Sequence, residues 1–558
     1  MSKKIGKVLA TEKQPSTIDQ FFFWTNCKLV LNPFDVVKVN HIHDSVTYGV
    51  VQEISHITDA ASFLSGFISS DFGNLNTTSP TNRVGMNYVE VKVIGNDHGL
   101  FIPVINDSNV YLASKEEIAR ALGLENVKNP IVCGSIKMYI GSEDPSDIVE
   151  LPVHLDSRFL IGPEAAHLSI SGISGLAAKT SYAMFLLKAL QENAKKQNDK
   201  IAFVVFNVKS KDLLSIDVKN DFSGDRSHQA SVENKYKQLN LSSDPFTDVQ
   251  YLYPCSTPGN PNSYVDTETK KMQEQAGQSQ DYRFTYEDDK ECLELLFSDV
   301  DDPNQTVQSI LSTILNGDGD FKNVRSWDTL LETLQKHSET GNNSNKEIQI
   351  TSWRRFTRYC KKAINGQRSL FADHLSNNNS QVRIEDKIKT IKCGQVLVID
   401  IARLDSSMQS FVFGATMKYL AEYQLGEKDK EDTKSPEKFI IFIDELNKYA
   451  STDTAKDSPV LREILDITER GRSLGLILFG AEQFKSAIHP RITGNCSTFV
   501  YGRTNSIELS KKDYNFIPKV YQGMMTKLKP GEYIIQNPVL SSLLRIECPE
   551  PIYKQFKN

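Results

Sequence analysis

The chain has 558 residues, of which 39% are apolar and 24% charged, and carries a formal net charge of −6. That length allows about two to four domains with sizeable cores, and the composition is that of an ordinary soluble globular protein. The charge excludes a globally basic nucleic-acid coat but leaves room for a local basic channel. The eight cysteines form no C-x-x-C pair and have no histidine cluster beside them. Reduced structural thiols in a cytoplasmic protein are expected, rather than a disulfide framework or a zinc site. The opening MSKKIGKVLATEKQ lacks an apolar core of signal-peptide length. No run of about 20 apolar residues offers a membrane span, so no membrane partner is expected.

Residues 1–155 read as a small β-barrel. Short β-prone runs at Ile5–Leu9, Phe21–Leu31, Asp35–Asn40, Thr47–Ile54, Tyr88–Ile94 and Ser135–Ile140 are separated by Gly, Asn, Asp and Pro. Asp35–Val39 and Tyr48–Ile54 flank an Asn-His-Asp turn region, which predicts a hairpin. Ser114 is a candidate N-cap for a helix over Lys115–Gly123. The polar tract Ser69–Asn82 reads as a loop. His41 and His43 lie two apart on an expected strand and read as a surface pair, since no third metal ligand is visible.

Residues 156–285 open an α/β domain. The apolar run His167–Ile170 leads into SGISGLAAKTSY, residues 171–182, and a helix-patterned run follows. Strand, small-residue loop and helix N-terminus together suit a phosphate. The candidate cradle is Gly172, Ser174, Gly175, Ala178, Lys179, Thr180 and Ser181. Lys179 would reach the β- and γ-phosphates, and Thr180 or Ser181 would offer a hydroxyl to Mg²⁺. The match to G-x-x-x-x-G-K-[ST] is imperfect. Ala178 stands where the second glycine belongs, Ile173 where the first does, and one extra residue separates the Gly172/Gly175 pair from the lysine. Taken alone, the loop reads nearly as well as a tight strand–helix connection.

Next, Ile201–Phe206 is a continuous apolar run, expected for a strand buried on both faces. It ends at the polar edge Asn207–Asp212, which is either ligand-facing or simply solvated. Residues 217–282 read as a polar insertion with mobile ends, interrupted by a short strand at Val249–Tyr253. Residues 286–380 are helical in pattern, an inserted helical subdomain, with Ser326 a good N-cap for Trp327–Lys336. The basic run from Arg354 to Lys362 reads as a solvated helix face. Residues 381–558 return to the sheet through Gln395–Ile401, then a helix over Ser410–Gln424.

The strongest signal follows. Lys438–Glu445 is an apolar strand ending in two acids, the Walker B form. Asp444 would hold Mg²⁺ through its water shell, and Glu445 would polarise the attacking water. A second apolar strand, Leu476–Gln483, again ends in polar groups. In this class of ATPase a strand between the two Walker strands carries a polar sensor, and Gln483 suits that place. Arg472, read in a loop where Gly471 and Gly475 let the backbone turn, or Arg470 would serve as a finger in a neighbouring subunit, with Arg503, after the strand Ser497–Tyr501, a second candidate. Each arginine alone fits a surface salt bridge equally well.

At this point the chain resembles the HerA–FtsK group of P-loop ATPases, and HerA in particular. The segments that carry this are HLSISGISG (167–175), FIIFIDELNKY (439–449), GRSLGLILFGAEQF (471–484), RITGNCSTFVYGRT (491–504), KPGEYIIQNP (529–538) and CPEP (548–551). Gly6-Lys7-Val8 and the pattern DVVKVN…YGVVQEI resemble the barrel that HerA shares with rotary ATP synthases. The resemblance implies an α/β, RecA-like ATPase core with an N-terminal barrel, a hexameric ring, ATP with Mg²⁺, and duplex DNA moving through the pore. It also implies an effector partner such as a nuclease or a sirtuin-like NADase, because the GLAAKTSY loop is similar to that of defence-associated members. Two rival readings stand beside the DNA motor: an ATP-binding scaffold that activates a partner enzyme, and a motor for protein substrates.

Overall fold

A computed structural model of the chain describes residues 3–69, 71–73, 84–125, 127–139, 144, 146, 148–173, 178–302, 305–339, 348–376, 380–426 and 435–556. Contacts divide it into two compact units: Met1–Asp156 with Arg503–Cys548, and Ser157–Gly502 with Pro549–Asn558. Each of the eight cysteines is free. No helix among the described residues is long and apolar enough to cross a membrane.

In the first unit a closed barrel forms from strands Lys4–Val8, Gln20–Thr25, Gly85–Asn96, Val46–Thr58, Val36–Asn40 and Asn109–Leu112, in that spatial order. Alternation builds it. Phe21 and Phe23 join Val37, Val39, Val89, Val91 and Val110 in the barrel core, while Phe22 turns outward and stacks on Tyr88. Closure leaves no open sheet edge, which would otherwise invite pairing with other chains. The Val36–Asn40 and Val46–Thr58 strands pair antiparallel, as the hairpin reading requires. Ser114 caps the helix Lys115–Ala121 in a full capping box with Glu117. Four further strands pair antiparallel in the order Glu532–Gln536, Leu544–Glu547, Pro130–Tyr139, Ile148–Asp156.

Two expectations for this unit need correcting. His41 and His43 are not on a strand. The turn between the hairpin strands is a short 3-10 segment at Ile42–Asp44, with His43 in the left-handed region at φ 57°. His41 instead braces the turn through Thr47 Oγ1, 3.1 Å from its Nδ1. The strands Asn109–Leu112 and Ile148–Asp156 lie outside the expected runs: the first is only four residues long, and Glu150, Pro152 and His154 interrupt the apolar pattern of the second. Residue 70 and residues 74–82 of the expected loop lie outside the described residues.

The second unit is built on a parallel sheet. Its spatial order is Gln381–Val382, Ser279–Tyr282, Val249–Pro254, Val396–Asp400, Ile201–Asn207, Lys438–Asp444, Leu476–Glu482, Leu168–Ser171, Thr498–Tyr501. The neighbours pair parallel throughout. Ile201–Asn207 and Leu476–Glu482 are buried at every position, which is why they read as unbroken apolar runs rather than alternating ones.

The helix Ser406–Leu425, capped by Asp405, is apolar on nearly all sides because it lies between layers. It packs against Lys290–Phe297 and Pro459–Leu474. The helices Thr306–Asn316, Trp327–His337 and Ile350–Gly366 share one continuous core with the sheet. Trp327 ties them in, its indole N–H donating to the Phe284 carbonyl at 3.0 Å.

The reading of 217–282 as an insertion with mobile ends is corrected here. Helices Arg226–Gln238 and Thr267–Gln275, capped by Asp225 and Asp266, alternate with strands Val249–Pro254 and Ser279–Tyr282, which extend the sheet. Both helices bury few side chains and Ser279–Tyr282 lies near the edge, so polar residues dominate the sequence although the backbone is regular. Arg472 was expected in a loop beside Gly471 and Gly475. It lies in the last turn of Pro459–Leu474 instead, and Gly475 caps that helix in the left-handed region. Gly471 is a packing residue: a Cβ there would stand 2.5 Å from the Leu476 carbonyl oxygen.

Candidate functional site

Parallel packing brings the C-terminal ends of Leu168–Ser171, Ile201–Asn207, Lys438–Asp444 and Leu476–Glu482 to one edge of the sheet, where α/β folds bind ligands. The Leu476–Glu482 strand lies between the two that carry the phosphate-loop and Walker B motifs. The helix Ala178–Gln197 starts at this edge, with Lys179, Thr180 and Ser181 in its first turn.

Lys179 is 4% exposed and its ammonium donates to the Gly172 carbonyl at 3.0 Å. Burial pulls that ammonium below the ordinary lysine value, against the opposing attraction of Asp444. The Thr180 hydroxyl donates to Asp444 Oδ2 at 3.0 Å. Asp444 Oδ1 accepts the Glu445 backbone N–H at 2.9 Å. Glu445 itself has a left-handed backbone, φ 59°, which turns the chain sharply out of the strand and presents its carboxylate beside Asp444. One carboxylate and one hydroxyl, both hard oxygen donors, fit Mg²⁺, which keeps most of its shell for water and phosphate oxygens.

The predicted set is therefore only partly assembled. Gly172, Lys179, Thr180, Asp444 and Glu445 meet. Ala178 begins the helix and Ser181 follows Thr180. Ser174 and Gly175 lie outside the described residues. Gln483 follows Glu482 at the strand end. Arg472 is exposed and donates to the Glu164 carbonyl at 2.9 Å. Arg470 pairs with Asp466 at 3.1 Å. Arg503 belongs to the barrel-bearing unit, where its Nε donates to the Thr526 carbonyl at 3.1 Å.

No protein-family model matches the chain, and no curated protein matches it. Among solved structures, the plasmid coupling protein TrwB in complex with the ATP analogue ADPNP is 11% identical at a TM-score of 0.41, covering 70% of this chain and 87% of that one. The unbound bacterial conjugative coupling protein TrwBΔN70 is 10% identical at a TM-score of 0.40, covering 70% and 88%. The genome-packaging NTPase B204 of Sulfolobus turreted icosahedral virus 2, in complex with ATPγS, is 15% identical at a TM-score of 0.21, covering 29% and 70%.

Two site residues escaped the sequence reading. Lys209 lies in the loop after Ile201–Asn207 and bridges both acids, 3.1 Å from Asp444 Oδ2 and 3.0 Å from Glu445 Oε1. Burial alone would lower its ammonium, but the two carboxylates outweigh that and hold it above the usual lysine value. The loop is pinned by buried Asn207. Its amide donates to Asp400 Oδ1 at 2.7 Å and to the Ser210 carbonyl at 2.9 Å, and its carbonyl accepts the Leu213 N–H at 3.2 Å. The polar edge was visible in sequence; which of its two lysines faces the acids was not.

The second residue is Glu482, 1% exposed, which accepts the Ser169 hydroxyl on Oε1 at 2.5 Å. Its Oε2 has no hydrogen-bond partner among the described residues. Burial pushes this carboxyl up to about 8, against the pull of Ser169, Lys179 and Lys485. A carboxyl raised in the folded state holds its proton while the unfolded chain has already released it. Stability is therefore full below the ordinary value of 4.5 and falls as pH rises towards about 8. Glu482→Gln removes this dependence. At about 1.4 kcal/mol per pKa unit, the substitution should stabilise the fold by several kcal/mol above about pH 8. The check is Tm against pH for both proteins. The gap should open between about pH 5 and pH 8 and then stay constant; parallel curves would mean that Glu482 is ionised throughout.

Proposed function

We propose that the chain is a P-loop ATPase that binds ATP with Mg²⁺ and couples its hydrolysis to movement along duplex DNA. The observation that carries the reading is the meeting of Lys179, Thr180, Asp444 and Glu445 at one sheet edge, from segments more than 250 residues apart in sequence. Lys179 and the backbone amides at the start of its helix neutralise the β- and γ-phosphates. Asp444 and the Thr180 hydroxyl would hold Mg²⁺, which would supply positive charge to the phosphates. Glu445 accepts the proton of the attacking water, and Gln483 orients that water or the terminal phosphate.

A homohexameric ring belongs to this reading through the family resemblance, with a finger arginine from a neighbouring subunit completing each site. Arg472 and Arg503 are the finger candidates. Both are exposed and bond a carbonyl, whereas Arg470 is paired with Asp466. The finer reading is a HerA-like member acting with a nuclease or sirtuin-like NADase effector in anti-phage defence. It rests on the resemblance of the GLAAKTSY loop.

Purified protein should hydrolyse ATP in Mg²⁺, duplex DNA should raise the rate, and DNA binding should weaken steeply with salt. The second reading, an ATP-binding scaffold that activates a partner, is favoured by Ala178 and by the extra residue before Lys179, both of which alter the cradle. Stimulation by a co-purified partner and not by DNA would decide for the scaffold.

A further inference from the structure

Both carboxylate oxygens of Asp444 already accept hydrogen bonds. Its Oδ1 accepts the Glu445 N–H, and its Oδ2 accepts both the Thr180 hydroxyl and the Lys209 ammonium. The Asp444 side chain is 6% exposed, so little of it is open to water. Glu445 is similarly engaged, Oε1 by Lys209 at 3.0 Å and Oε2 by Lys448 at 3.7 Å. Among these donors, the Glu445 N–H is backbone and Thr180 is fixed in the first turn of a helix. Lys448 is held partly by Gln409 Oε1 at 2.9 Å. Lys209 stands on a loop, with a flexible four-carbon stem and a side chain 35% exposed. It is the donor that can leave without unfolding anything.

We propose that Lys209 is an internal cation occupying the divalent-metal position at Asp444 and Glu445, so that metal is admitted only together with the phosphates. This rests on the reading of Asp444 as the Mg²⁺ residue. The physical reason is charge balance. Two adjacent, largely buried carboxylates need a counter-charge, and Lys209 supplies one. A divalent ion arriving alone would have to displace that ammonium and then lie beside it, a like-charge contact in a poorly hydrated site. A polyphosphate changes the balance, because its oxygens offer the displaced ammonium a new anionic partner. Metal and nucleotide binding are thereby coupled through this chain's own side chain, and that coupling is reciprocal. Lys209 is thus a positioning residue, acting on the metal through the acids.

The test needs no nucleotide. Nucleotide-free protein is titrated with Mn²⁺ as the probe, the free ion being counted by electron paramagnetic resonance. Lys209→Gln keeps hydrogen bonding but removes the charge, and should bind Mn²⁺ roughly tenfold or more tightly than the wild type. Mn²⁺ should raise the Tm of that variant and leave the wild-type Tm unchanged. Lys209→Arg, which keeps the charge, should exclude Mn²⁺ as the wild type does. Adding Asp444→Asn to Lys209→Gln should abolish the gain, placing the ion at this site. Should the glutamine variant fail to fold, Lys209→Met keeps the packed stem and serves in its place. Equal Mn²⁺ affinity in wild-type and charge-free proteins overturns the proposal, as does a gain that survives Asp444→Asn. Because ATP is absent, these outcomes are independent of whether the site hydrolyses it. The ATPase reading fails separately, by an active Lys179→Ala protein.

Discussion

Lys179→Ala should lower ATP affinity by roughly a hundredfold and leave no measurable hydrolysis. The ammonium is almost fully buried at the end of the Leu168–Ser171 strand, where it donates to the Gly172 carbonyl. Phosphate oxygens would take over that donor in a site that excludes most water, and such charge-assisted bonds are the strong ones. Hydrogen bonds to charged groups are worth about 1.5–3 kcal/mol each, so losing two of them costs about 3 kcal/mol or more. That amount is roughly a hundredfold in Kd. Titration with a fluorescent ATP analogue measures the binding, and phosphate release measures the turnover. Lys179→Met is the control for packing, since it keeps the apolar stem while removing the charge. Unchanged turnover in either variant would mean that this loop, with its extra residue, does not cradle phosphate.

Glu445→Gln should retain ATP binding and lose at least a hundredfold in turnover, since a positioned general base contributes about 10²–10⁴ in rate. The amide has the same shape and suits the same left-handed backbone, φ 59°, so the turn out of the strand survives. It still accepts a hydrogen bond from Lys209 through its carbonyl oxygen. What it cannot do is take a proton from water. The kinetic signature is a fall in kcat with little change in nucleotide Kd, because the lost interaction belongs to the transition state. A parallel loss of binding and turnover would give Glu445 a different role, that of a counter-charge holding Lys209 and the metal in place.

The carriers of the candidate chemistry were readable because their signals are local. An apolar run that ends in Asp444-Glu445 needs no partner to be recognised, and neither does a lysine followed by hydroxyls at the start of a helix. The Ser114 and Ser326 caps were legible for the same reason: capping acts within a few residues. The segment 217–282 was misread where local composition and tertiary role diverge. Its helices are polar because they bury few side chains, and its Ser279–Tyr282 strand is secured by parallel neighbours rather than by its own β-propensity. Arg472 was misplaced because Gly471 looks like a loop residue, whereas its lack of a Cβ admits the Leu476 carbonyl against the helix.

By itself the sequence determined an α/β chain with a β-rich start, two acid-tipped buried strands and a lysine-bearing loop before a helix. Only the tertiary structure decided that Leu476–Glu482 separates the two strands carrying the Lys179 loop and Asp444. It also decided that Lys209 rather than Lys211 closes on the acids, and that Glu482 is sealed beside Ser169. The reason is the same in each case. Strand order, and the burial of a charged side chain, depend on residues hundreds of positions away. A charge read along the chain reveals neither the carboxylate it will meet nor the water it will lose.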